Sequence, residues 1–151
     1  MLVTEESVPN LSITKETEEE LLDLIRNEFP ELSIHIFDTG PQLMMPRYIF
    51  VRYKETDLIT IFGAARVIFI VDKLEFISQK ELFGRTKGDY LINADVEEEP
   101  RIIGTGFLKK LLTLDEYRTL FRKLIDDYNK LSVVQKSYEV QKKIEEIKKD
   151  F

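Results

Sequence analysis

The chain has no cysteine and a single histidine, His35. Disulfide frameworks, thiolate zinc sites, iron–sulfur clusters and cysteine nucleophiles are therefore excluded. One imidazole per chain also rules out a zinc site built from two or three histidines of one chain. Tryptophan is absent, and glycine and proline together account for only eleven of the 151 residues. No stretch is long and apolar enough for a membrane span: the richest run, Leu58 to Val71, is interrupted by Arg66, and a span needs about 20 apolar residues. The start carries Glu5 and Glu6 rather than a basic segment followed by an apolar one, so no signal peptide is expected.

What remains is ordinary core material with an uneven charge. Apolar residues make up 43% and charged residues 33%, which suits one folded domain rather than a disordered chain. Residues 1–31 hold nine acidic and two basic side chains, a net of −7, whereas the other 120 residues carry a net of +1. The acidic character thus belongs to the N-terminal segment. The near-neutral body lacks the basic footprint of a nucleic-acid-binding protein. The expected location is cytoplasmic, or within a virion, with no membrane association.

Periodicity divides the chain into three parts. Residues 1–13 lack a period and read as a flexible arm. Residues 14–131 read as an α+β domain. Its helix opens at a capping box of Thr17 and Glu20 and ends at Pro30. Strand-like runs follow at Leu32–Phe37, Tyr48–Tyr53, Leu58–Phe62, Val67–Val71 and Leu74–Ile77, with Tyr90–Ala94 as a further one. Their short spacers favour an antiparallel sheet of about five strands. Tyr48–Tyr53 is apolar on both faces apart from Arg52, which calls for cover on both sides. Gln79 to Phe83 reads as one helical turn, and Gly104-Thr105-Gly106 as a turn leading into the helical part.

The last third is helical. Thr113 and Glu116 form a capping box, and Leu114, Tyr117, Phe121, Leu124, Tyr128 and Leu131 recur at spacings of three and four. After Leu131 the apolar phase breaks, and Ser132 with Gln135 suggests a second start. Residues 132–151 then form an amphipathic helix with a narrow seam of Val133, Val140, Ile144, Ile147 and Phe151. A seam this narrow on a charged helix suits docking or oligomerisation better than packing in a domain core.

Several groups of residues bear on chemistry. Asp38-Thr39-Gly40 follows an apolar run, and Ile102-Ile103-Gly104 lies about sixty residues later. In these two patches the chain resembles the retroviral-type aspartic proteases. The resemblance implies a homodimer in which each chain contributes Asp38 to a dyad sharing one proton, with Thr39 and Gly40 supporting it. Pro41 departs from the family pattern of a small residue after the glycine, and no glycine-rich flap follows. The simpler reading of these residues is a turn. His35 falls on the polar side of its strand as a solvated residue. Asp95, Glu97, Glu98 and Glu99 match no calcium-loop spacing, and no metal or cofactor is expected. Gly104-Thr105-Gly106 lacks the third glycine of a dinucleotide fingerprint. Lys109, Lys110, Arg118, Arg122 and Lys123 form a basic region, but acidic residues interrupt it.

The scarcity of catalytic residue types, the two-sided strand and the spare seam point to a non-catalytic assembly or adaptor protein. It would be a structural subunit of a larger complex, working through a protein partner or self-association. The competing expectations are the dimeric protease and a nucleic-acid accessory protein.

Overall fold

A computed structural model describes residues 11–38, 47–85 and 98–150. Among them run α1 (Lys15–Glu28), β1 (Leu32–Phe37), β2 (Tyr48–Tyr53), β3 (Thr56–Phe62), β4 (Val67–Ile77), α2 (Gln79–Gly84), β5 (Arg101–Phe107) and α3 (Leu114–Lys149). The fold is α+β, with an N-terminal helix, an antiparallel sheet of five strands and a long C-terminal helix. The expected strand at Tyr90–Ala94 lies outside the described residues.

Helix α1 starts three residues earlier than the sequence suggests. Thr14, not Thr17, is the N-cap: its backbone is extended and its hydroxyl accepts from the Thr17 N–H at 3.1 Å. Thr17 fills the third helical position, which frees Glu18 to point inward. The helix ends as predicted, with Phe29 as the C-cap just before Pro30. Leu21, Leu22, Leu24 and Ile25 bury its apolar stripe.

The sheet is a meander in the order β1-β2-β3-β4-β5. Lys54 (φ 55°) turns the β2–β3 connection, while Gly63 (φ 82°) and Arg66 (φ 49°) turn the next one. The two runs Val67–Val71 and Leu74–Ile77 are one strand, not two. Asp72 and Lys73, which resemble a turn in sequence, absorb bulges in the pairing with β5. β4 uses its first half against β3 (Ile59 with Ile70, Ile61 with Ile68) and its second half against β5. After Val71 it thus leaves β3. Thr56 spans the resulting gap, donating its buried hydroxyl to the Ile102 carbonyl at 2.8 Å.

Residues 11–13 differ from the flexible arm expected there. Ser12 bridges to Val67, the Ile13 N–H donates to the Arg66 carbonyl, and the Ile68 N–H donates to the Leu11 carbonyl. Ile13 is buried in the core, and its apolar contact adds to the backbone pairing. Residues 1–10 lie outside the described residues.

Gly104-Thr105-Gly106 is strand, not turn: it lies within β5. Close approach requires glycine at position 104 and crowds position 106, where the end of the Asp72 side chain would have to shift. A Cβ on Gly104 would lie 2.9 Å from the Val71 Cβ, and one on Gly106 would overlap the Asp72 carboxylate. The bulged section of β4 presses on β5 at these two places.

One face of the sheet carries Ile49, Val51 and Tyr53 of β2, all buried, with Ile61 and Ile68 beside them in register. Helices α1 and α3 cover this face. They also meet each other, where Phe29 and Phe121 contact edge-on at 5.4 Å and Arg118 reaches Glu28 at 2.9 Å. The other face of β2 is not fully covered. Its alternate residues are only partly buried, and a row of rings shields them instead: Phe37 on Phe50, Phe50 on Tyr48, Tyr48 on Phe62 and Phe62 on Phe69. Cross-strand aromatic contacts of this kind stabilise a face that meets solvent on one side. They supply part of the cover that the sequence pattern assigns to a second element.

Helix α3 opens at the predicted capping box of Thr113 and Glu116, with both reciprocal bonds formed. It then runs unbroken to Lys149, through the break expected at Ser132. No glycine or proline interrupts it. The Ser132 hydroxyl, rather than capping a new helix, donates back to the Asn129 carbonyl at 2.8 Å.

Candidate docking face on helix α3

The core-facing stripe of α3 begins with Tyr117, Phe121, Leu124 and Tyr128, all buried. Its spacing of threes and fours does not stop at Leu131. It continues through Gln135, Tyr138 and Lys142, which still face the body. Tyr138 contacts Phe76 edge-on at 5.7 Å and donates its hydroxyl to Glu99 at 2.7 Å. Lys142 donates to the other Glu99 oxygen at 2.6 Å. The stripe turns polar without changing phase, so an apolar pattern alone loses it at this point.

Glu99 binds both partners as an ionised acceptor. Lys142 and then Tyr138 hold its carboxyl below the ordinary value of 4.5. In return, Glu99 raises Lys142 and raises the Tyr138 phenol. This exposed cluster ties the far half of α3 to the loop preceding β5.

The seam occupies the opposite side. At 3.6 residues per turn, the centre of Val133, Val140, Ile144 and Ile147 lies about 180° from that of Leu131, Gln135, Tyr138 and Lys142. The exposures agree: Val133 63%, Val140 57%, Ile144 40% and Ile147 58%. Val134, on the flank, is also exposed. Phe151, the last residue assigned to the seam, lies outside the described residues. In heptad terms Ser137 and Ile144 take a, and Val133, Val140 and Ile147 take d. The flanking e and g positions are Val134, Lys136, Gln141, Lys143, Lys148 and Asp150, all exposed. Lys130 and Lys142 each hold a carboxylate, but among the described residues no ion pair engages Lys136, Lys143 or Lys148.

The other sequence-derived positions are dispersed. Asp38 is exposed at the end of edge strand β1, and Thr39 and Gly40 lie outside the described residues. Ile102-Ile103-Gly104 belongs to β5, the opposite outermost strand, with β2, β3 and β4 between. The structure does not bring the two protease-like patches together. His35 is exposed and shares a hydrogen bond with Ser33 at 3.1 Å. The basic region is largely engaged within the fold: Arg118 pairs with Glu28 and Asp115, Arg122 lies over the Phe29 ring, and Lys123 donates to the Asp72 carbonyl. Glu98 pairs with Lys80. Asp95 and Glu97 fall outside the described residues, and among the described residues no group of acidic or histidine side chains is placed to hold a metal. None of the described helices is long and apolar enough to cross a membrane.

Two features escape the sequence reading. Glu18 is buried between α1 and the β3–β4 turn, bound by Arg47 at 3.1 Å with Arg66 at 3.8 Å. The available signal was its place on the apolar stripe, three, four and seven residues before Leu21, Leu22 and Ile25. The second is a cleft of about 200 Å³ where β4 leaves β3, lined by Thr56, Asp57, Arg101, Gly104, Tyr128 and Gln135. Its polar side chains come from strands and helices far apart in sequence, so no local motif marks it.

Compared with family models, with curated proteins and with solved structures, the chain matches none.

Proposed function

We propose that the protein is a non-catalytic assembly or adaptor subunit that docks a partner on the outward face of α3. The observation that supports this reading is the half-turn separation between the body-facing stripe and the exposed seam. Tyr138 and Lys142 already occupy the side of the helix that faces its own sheet. Val140, Ile144 and Ile147 are therefore left exposed on a helix that is held in place. Apolar side chains repeated at heptad spacing on a rigid helix match the helix-to-helix mode of recognition. A chain that used this helix only for its own stability would gain nothing from β-branched apolar residues at four exposed positions.

The test is site-specific photo-cross-linking in the protein's own cells, from a probe at position 140 or, as a control, at position 135. An adduct of defined mass from position 140, absent from position 135 and lost with Ile144→Glu, is expected. Equal adducts from both positions, or none from 140, would overturn the reading. The substitution at Ile144 touches an exposed side chain, so the fold survives it.

A further inference from the structure

Resting on that docking reading, we infer that the partner of the seam is an amphipathic helix from another protein with acidic residues along both flanks, rather than a second copy of this chain. The charges beside the seam carry the argument. Its flanking positions hold three lysines (Lys136, Lys143, Lys148) against one aspartate (Asp150), all exposed. Among the described residues those three lysines have no ion pair within the fold. Residues at these positions select the partner of a helix pair and its orientation. The local sign is opposite to that of the whole chain, whose net charge is −6.

Self-pairing fits these charges poorly. In a parallel pair of two copies, g of one helix meets the following e of the other. Lys143 then faces Lys148 of the second copy, twice over. In an antiparallel pair the g positions face each other, so Lys143 opposes Lys143 beside the central Val140–Ile144 layers. Like charges at these positions act against the pairing. Ser137 at an a position leaves a small polar side chain in the middle of a seam barely two heptads long, so little apolar contact remains to outweigh the repulsion. Docking of one copy's acidic helix on another's seam is also excluded, because α1 buries Leu21, Leu22, Leu24 and Ile25 in its own core. An incoming helix with Glu or Asp at its e and g positions meets all three free lysines favourably and gives up no pairing already made.

The experiment uses the full chain and two labelled three-heptad helical peptides. Both carry Leu and Ile at a and d; one has Glu at every e and g position, the other Lys. Fluorescence anisotropy is expected to show the acidic peptide binding at least about tenfold more tightly. The preference should shrink at high salt, and binding should be lost with the Val140→Glu, Ile144→Glu double variant. Charge reversal at Lys143 and Lys148 to Glu should invert the preference. Equal affinity for the two peptides, or preference for the basic one, overturns the acidic-partner inference while leaving docking on the seam intact. Failure of both peptides to bind overturns docking of a helix there altogether. Light scattering of the chain alone supplies the remaining outcome: a dimer that becomes monomeric with Ile144→Glu would make a second copy the occupant and overturn the inference.

Discussion

Tyr138 lies edge-on against Phe76, with 5.7 Å between ring centroids, and its hydroxyl donates a hydrogen bond to Glu99 at 2.7 Å. Together with Lys142 on the same carboxylate, this side chain fixes the rotation of the far half of α3 about its own axis. With Tyr138 turned to the sheet, Ile144 must face outward.

Replacing Tyr138 with alanine should therefore loosen the far half of α3 without unfolding the body. Amide exchange in residues 135–149 should quicken by roughly threefold to tenfold, while exchange around Phe121 stays unchanged. A uniform rise across the molecule would show that this contact belongs to the global fold instead.

The tie to Glu99 should respond to acid. Its carboxyl is held below 4.5 by the Lys142 ammonium first and the Tyr138 hydroxyl second. A carboxylate with a depressed folded-state pKa contributes fully above its unfolded value and loses that contribution as pH falls through the folded one. The tie is thus complete at neutral pH and should release only below about 4.5. Carboxyl carbon shifts should report a Glu99 midpoint under the ordinary value, and the Tyr138 ring signals should move with it. Lys142→Gln should raise the midpoint, and Glu99→Gln should abolish the coupled Tyr138 transition.

Core and seam should separate cleanly by stability. Phe121 is fully buried and touches both Phe29 and Tyr117, so Phe121→Ala should cost about 3–5 kcal/mol. Val140→Ala, on the exposed face, should stay within about 0.5 kcal/mol of the parent. Denaturant titrations of the two variants check both values. A comparable loss at Val140 would mean that the seam is covered within its own fold.

Gly104→Ala should destabilise by at least as much as a typical overpacked core substitution, about 1–3 kcal/mol. The added methyl meets the Val71 side chain, which is itself buried. Val71→Ala in the same chain should recover part of the loss. An absence of recovery would locate the strain elsewhere in β5.

Much of the architecture was legible because it follows short-range rules. Alternation in Leu32–Phe37, the apolar run Tyr48–Tyr53, the short spacers and the Thr113–Glu116 box each have a local cause. The misreadings share another origin. Asp72-Lys73 looks like a turn, yet pairing with β5 holds it as bulged strand. Gly104 and Gly106 look like loop residues, yet they answer to Val71 and Asp72 across the sheet. Thr14 replaces Thr17 as cap, so that Glu18 reaches Arg47, 29 positions away. In each case a partner distant in sequence decides between two locally acceptable conformations. The seam was visible as a narrow stripe. Its orientation was not, because Gln135, Tyr138 and Lys142 do not register as core until Phe76 and Glu99 are placed against them.

The continuity of α3 through Ser132 has a mechanical consequence. From Tyr128, the last buried side chain of the described helix, to Ile147 the axis extends about 28 Å. A flexible tether of the same number of residues would let a bound partner wander, and would have to be ordered before it could grip. Here the helical backbone is formed before any encounter, so its conformational entropy has already been lost in folding. A partner seated on Ile144 and Ile147 would be held at a set distance and bearing from the sheet, and a push on one end of α3 would be felt at Phe121 in the core.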